Sequence, residues 1–240
     1  MILGVASLIL GLSAFIQGAV GFGFSLVAVP LLALLMPLKE IVPMMVLFSL
    51  VLNIMVWVQL QGHVDKKKMA LLISMGLIFI PLGIYSLKIL PESLIQISVG
   101  LLVILAALGM LADYKIHFRN PYVAFALTGA LSGILNGSTS LSGPPVILML
   151  SNDGMDKAQF RKTLATYFMT LNLFSLPMFL AGGMVNRDLL FRSASLLPGV
   201  FVGVLIGIKF GNRLKENVFR SITLVLILVM GVMTILSGLS

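Results

Sequence analysis

Cysteine is absent from all 240 residues, which excludes disulfides and thiolate metal ligands and leaves the redox compartment unmarked. Carboxylates are scarce. The eight present, Glu40, Asp65, Glu92, Asp113, Asp153, Asp156, Asp188 and Glu216, all fall in turns or at the ends of apolar runs. No intramembrane acid therefore stands ready for a proton relay or a cation site. Histidine is nearly missing too: His63 and His117 both sit in turns with no partner at useful spacing. No Ser and His pair, no paired acids and no metal-ligand cluster can be assembled, so the residues point away from an enzyme and call for no cofactor or metal.

What remains is apolar. Hydrophobic residues make up 59% of the chain and charged ones 10%, with a mean hydropathy of +1.13. These values belong to a multispan protein of the lipid bilayer rather than to a soluble domain. The 16 Lys and Arg against 8 Asp and Glu lie in short turns between apolar runs, where basic residues signal topology rather than nucleic-acid binding. Residues 1–17 lack the positively charged start of a signal peptide and are read as part of the fold. Trp57 and Tyr85, near span ends, read as interfacial anchors, and the methionines and phenylalanines as packing and lipid-facing residues.

Clear spans are predicted at about Ile41–Leu60, Met69–Leu87, Ser93–Ala112, Phe160–Ala181, Leu189–Phe210 and Val218–Leu236. Each set of three follows an interrupted stretch. In the first, Ile2–Ile16 and Leu26–Met36 are each shorter than the ~20 residues of a full span, and they are separated by Gln17-Gly18-Ala19-Val20-Gly21-Phe22-Gly23-Phe24-Ser25. In the second, Tyr122–Leu150, hydroxyls, an amide, glycines and two prolines crowd between Leu131 and Pro145. Gly18, Ser25 and Pro30 match Gly133, Ser140 and Pro145 at an offset of 115, Asn53 matches Asn172 at 119, and Pro81 matches Pro198 at 117. The ordered set predicts an internal duplication, with repeats at 1–114 and 115–240 forming one transport domain.

Basic residues choose between two topologies. If each interrupted stretch crosses the membrane once, they divide nine against seven, and nothing is oriented. If each is a helical hairpin returning to its starting side, twelve collect on one face and only Lys39, Lys88, Arg187 and Arg192 remain on the other. The positive-inside rule favours the hairpins. The predicted fold is thus an all-α integral membrane protein of two inverted-topology repeats, each an interrupted hairpin followed by three transmembrane helices. The turns at 61–68, 112–120, 151–159 and 211–217 then face the cytoplasm, and both termini face outward across a plasma (bacterial inner) membrane.

Polar backbone at membrane depth persists only where protein or a water-filled cavity surrounds it, and transporters of inverted repeats place their substrate at such breaks. Ser142 or Gly143 is placed to cap a helix beginning at Pro144-Pro145, whose positive end faces an anion. Asn136, Gly137, Ser138, Thr139, Ser140 and Ser142 form one half of the candidate site, and Gln17, Gly21, Gly23 and Ser25 the mirrored half. Small residues and hydroxyls also mediate helix packing without any ligand. Arg161 has two readings, an inward clamp for an oxyanion or a snorkelling topology residue like Lys162. Asn53 and Asn172 either line the path or bond between helices.

These motifs resemble the sulfite exporter TauE/SafE family along essentially the whole chain. Gln17 to Gly23 through Pro30 resembles the family's first Gly-rich motif and Leu131 to Pro145 its second. The stretch Phe160-Arg161-Lys162-Thr163-Leu164-Ala165-Thr166-Tyr167-Phe168 through Asn172 is similar to a segment of members whose second motif ends in Ser-Gly-Pro-Pro. One departure is visible: many members carry consecutive glycines in both motifs, where this chain has Gly21-Phe22-Gly23 and Asn136-Gly137-Ser138-Thr139-Ser140. The resemblance implies a membrane transporter of a small anion, an organosulfonate or sulfur oxyanion. A passive anion channel and a non-transporting scaffold are the alternatives, and monomer and homodimer are both open.

Overall fold

Three of the long helices begin where a short polar side chain precedes an apolar run. In the computed structural model, Asp65 accepts the N–H groups of Lys67 and Lys68, Asp156 that of Gln159, and Asn186 that of Leu189. Each satisfies backbone donors that a helix start leaves unpaired. The structure describes residues 2–60, 64–111, 121–152 and 155–239. Among them are ten helices and no strand: α1 (Ile2–Val20), α2 (Phe24–Leu32), α3 (Leu38–Gln59), α4 (Lys66–Ile89), α5 (Glu92–Leu111), α6 (Pro121–Thr139), α7 (Gly143–Asn152), α8 (Lys157–Ala181), α9 (Arg187–Arg213) and α10 (Glu216–Leu239). Within α3, α4, α8, α9 and α10 lie five stretches long and apolar enough to cross a membrane. The turn at 112–120, with His117, and His63 and Asp153 lie outside the described residues.

Glycine sets how closely these helices approach. On α9, Gly199 faces Ser7, Gly203 faces Gly11, Gly207 faces Phe15 and Gly211 faces Ala19 of α1. A step of four on one helix matches a step of four on the other, so the two run in the same direction. On α6, Gly129, Gly133 and Gly137 face Leu72, Gly76 and Ile80 of α4 in the same parallel manner. A Cβ at Gly203 would stand 2.2 Å from the carbonyl oxygen of Gly11, and one at Gly133 would stand 2.1 Å from that of Gly76. Only hydrogen fits in either place, the small-residue packing by which helices associate in lipid.

The remaining directions follow from single contacts. Lys162 meets Leu60 and Thr166 meets Trp57, so α3 and α8 are antiparallel. Gly76 lies beside Tyr167 and Leu171, and Lys88 reaches Gly182, so α4 and α8 are parallel. Gly100 packs on Gly231 and Ile235 while Gly238 packs on Gln96 and Ser93, which makes α5 and α10 antiparallel.

The breaks are shorter than the sequence suggested. α1 stays helical through Val20, leaving only Gly21, Phe22 and Gly23 between it and α2. α6 stays helical through Thr139, leaving Ser140, Leu141 and Ser142 before α7. Gln17 and the run from Asn136 to Thr139 are therefore on helices, where Ser138 and Thr139 turn their hydroxyls back to the carbonyls of Ile134 and Leu135. α7 begins at Gly143, one residue ahead of the two prolines.

Candidate functional site

Each break turns on a residue with positive φ. Gly21 adopts φ 91° and Gly23 φ 103°, and in the second break Ser140 holds φ 59°, unusual for a residue with a side chain. Gly21 donates its N–H to the Gln17 carbonyl at 2.7 Å, as Ser140 does to the Asn136 carbonyl at 3.0 Å. The side chains repeat the pattern. Gln17 Nε2 donates to Asn53 Oδ1 at 2.8 Å, Asn136 Nδ2 donates to Asn172 Oδ1 at 3.0 Å, and both pairs are 36 residues apart. Gln17 and Asn136, Gly21 and Ser140, and Asn53 and Asn172 thus correspond at an offset of 119. That register differs by four from the one that aligned Ser25 with Ser140. Those two serines meet instead across the breaks, with their hydroxyls 3.2 Å apart.

The breaks frame a small pocket, with room of about 30 Å3 in this conformation. Its lining includes Gln17, Gly23, Ser25, Asn53, Ser140, Ser142 and Asn172 from the candidate set. Phe22, Phe24, Leu26, Ser49, Leu141, Gly143 and Phe168 complete it. Ser49 and Phe168 stand one helical turn before Asn53 and Asn172, a spacing that places each pair on one face of its helix. Ser49 also lies 3.3 Å from the Ser25 hydroxyl. Among the described residues, no Asp, Glu, Lys or Arg lines the pocket.

The two helices that start here are not equally armed. On α2 the Phe24 N–H is taken by Gln17 Oε1 at 3.1 Å, and the N–H groups of Ser25 and Leu26 precede the first helical acceptor. On α7, Pro144 and Pro145 have no N–H, so Gly143 alone supplies one from the first three residues. Asn136, one methylene shorter than Gln17, makes no matching cap: its Oδ1 is buried without a partner among the described residues.

Six candidate residues lie outside the lining, Gly21 at the first turn and five behind the pocket. Gly137 packs against the backbone of α4, Asn136 braces Asn172, and Ser138 and Thr139 bond their own helix. Arg161, 1% exposed, lies behind the first break. Its Nη2 donates to the Gly18 carbonyl at 2.7 Å and its Nη1 to Asn212 Oδ1 at 2.9 Å. A Cβ at Gly21 would come within 3.0 Å of the Arg161 Cγ, so the turn rests directly on this side chain.

Arg161 belongs to a wider pattern that sequence reading missed. Lys162 donates to the carbonyls of Trp57 and Leu60 at the end of α3, its ammonium 3.8 Å from the Trp57 ring centre. Lys157 donates to Gly211 and Leu214 at the end of α9, and Lys88 to Gly182 at the end of α8. Each cation meets carbonyls at a helix C-terminus, the negative end of its dipole, where most lack a backbone donor. Such pairing needs the neighbouring helix to be known, so spacing along the chain carries no signal of it.

A family model described as Sulfite exporter TauE/SafE matches residues 6–234. No curated protein and no solved structure matches significantly. The family match, with the apolar helices, makes this a multi-pass membrane protein of a class that transports sulfur anions. The chain belongs to the sulfite exporter TauE/SafE family.

Proposed function

We propose that this protein moves a small anion, an organosulfonate or inorganic sulfur oxyanion, by alternating access about the pocket between the two breaks. The observation that carries this reading is the convergence of two helix N-termini and four serines on one small pocket with no carboxylate among its described lining residues. Backbone N–H groups at a helix start form a ready anion site. Hydrogen bonds to a charged group contribute ~1.5 to 3 kcal/mol each, enough for selective binding and weak enough for release.

The inverted-repeat reading is supported by the helix directions. α6 runs parallel to α4 and α4 parallel to α8, so α7 has to double back between α6 and α8. α1 runs parallel to α9. Glu40 of α3 meets Arg192 near the start of α9, and both helices end beside the start of α8, so α2 doubles back as well. Exchanging α1–α5 with α6–α10 turns the α1 and α9 pair into the α6 and α4 pair. With two hairpins, the basic turns face the cytoplasm and both termini face outward across the plasma membrane.

The test is a thermal-shift panel of sulfite, thiosulfate, sulfate, taurine, sulfoacetate and small carboxylates, followed by uptake into proteoliposomes. Sulfur anions are expected to raise the melting temperature, and uptake to saturate. Flux that never saturates would mean a channel, and no shift with no uptake would mean a scaffold. Ser25→Ala with Ser140→Ala removes two hydroxyls and is expected to weaken anion binding at least tenfold, about 1.4 kcal/mol, with the unliganded melting temperature nearly unchanged.

Arg192 and Glu40 form an ion pair at 3.3 Å between side chains 62% and 51% exposed. Exposed pairs contribute about 0 to 1 kcal/mol, so Glu40→Gln is expected to leave stability almost untouched. It also frees a cation on the predicted outer face. Initial uptake at low ionic strength is expected to rise modestly, and the gain to vanish at high salt.

A further inference from the structure

Two further cavities are built from equivalent positions of the two halves. One, of about 110 Å3, has Ala6, Met36 and Met44 in its wall beside the first turns of α9. The other, of about 10 Å3, has Phe125, Met155 and Thr163 beside the first turns of α4. Ala6 and Phe125, Met36 and Met155, and Met44 and Thr163 are each separated by the same 119 residues that relate Asn53 to Asn172. Each cavity also takes in the N-cap of its long helix, Asn186 in the first and Asp65 in the second. Because α3 and α8 are antiparallel, the start of α3 and the start of α8 lie at opposite ends of the bundle, and so do the cavities.

The clearest difference between them is one side chain. Where the wide cavity has the methyl of Ala6, the narrow one has the ring of Phe125, 2% exposed, with the Lys68 ammonium 5.4 Å from its centre. We propose that the two cavities are the two mouths of one solute path, and that Phe125 keeps the second mouth narrow in this conformation. This rests on the transport reading above and deepens it. An alternating-access path needs two mouths of equivalent construction that are never equally wide. Equivalent wall positions and unequal volumes are what these cavities display. On the topology proposed above, the wide mouth faces outward and Phe125 narrows the cytoplasmic one.

The chain has no cysteine, so a single introduced thiol reports alone. Met44→Cys and Thr163→Cys would be made separately and labelled in proteoliposomes with a membrane-impermeant maleimide applied from each side in turn. Met44→Cys is expected to label several-fold faster, and from one side only. Adding Phe125→Ala is expected to raise the labelling of Thr163→Cys at least fivefold, from the other side. Ala6→Phe, the reciprocal change, is expected to slow labelling of Met44→Cys, and it carries the test if Phe125→Ala lowers the yield of folded protein. The proposal is overturned if both thiols label from one side. It is equally overturned if Phe125→Ala, in folded protein, leaves Thr163→Cys unchanged, or if Ala6→Phe leaves Met44→Cys unchanged. Labelling requires no substrate, so absent anion shifts in the thermal panel would sink the transport reading without imitating any of these results.

Discussion

Gly207→Val is expected to eliminate folded protein from the membrane, and Gly207→Ala to reduce it severely. A Cβ at this position would lie 2.0 Å from the carbonyl oxygen of Phe15, with the carbonyl carbon at 2.8 Å and the Cα at 3.0 Å. All three atoms are backbone of α1, so no side-chain rotation relieves the clash. The helices would have to separate. They touch in the same manner at Gly203 and Gly211, where a Cβ would stand 2.2 Å from Gly11 and 2.1 Å from Ala19, so moving one contact opens the others. Overpacking in a close-packed interior costs ~1 to 3 kcal/mol per site where neighbours can adjust, and here they cannot. Gly4→Ala on α1 is the control, because nothing lies within 4 Å of its added Cβ. Detergent-extracted protein should elute as a single symmetric peak for Gly4→Ala and as aggregate, or not at all, for Gly207→Val. A normal peak for Gly207→Val would mean that α1 and α9 do not pack in this register.

The glycine stripe shows why some of the fold was legible and some was not. The spans at Met69–Leu87, Phe160–Ala181 and Leu189–Phe210 fall inside α4, α8 and α9, and Ile41–Leu60 inside α3 but for its last residue, because a long apolar run in lipid has few alternatives to a helix. Gly199, Gly203, Gly207 and Gly211 were visible as letters at a spacing of four. Their meaning required the partner, and α1 lies most of the chain away. The breaks were located correctly but drawn too wide. Their polarity puts Asn136 to Thr139 in the break, while the structure lets Ser138 and Thr139 satisfy their hydroxyls on their own helix, the common fate of such residues inside helices. The pocket drew on seven of the thirteen candidate residues. Its apolar members, Phe22, Phe24, Leu26, Leu141 and Phe168, carry no letter that separates them from the lipid-facing and core residues around them.

Arg161 carries the second large effect, and three substitutions separate its possible contributions. Its guanidinium is buried, it has no carboxylate within ion-pair distance among the described residues, and its Nε has no hydrogen-bond partner. The negative end of the α1 dipole, through the Gly18 carbonyl, offsets part of that charge. Arg161→Ala strips the Gly18 carbonyl and Asn212 of their donor and leaves a void under the Gly21 turn. The buried Gly18 carbonyl left unsatisfied costs ~1 to 3 kcal/mol, the void adds to it, and Asn212, exposed, can turn to water, so a marked fall in melting temperature and loss of anion binding are both expected. Arg161→Gln keeps a neutral donor within the same region, and Arg161→Lys keeps the charge without the planar fork. If the residue only props the turn, the two variants should bind anions according to how well each restores the melting temperature. If its charge also favours an anion across the thin Gly21-Phe22-Gly23 backbone, Arg161→Lys should bind more tightly than Arg161→Gln even at matched stability. The interaction would be screened little by salt, because the charge is enclosed. Titrating one sulfur anion against both variants at low and high ionic strength decides between the two, and equal affinities at matched melting temperatures would leave Arg161 a purely structural cap on α1.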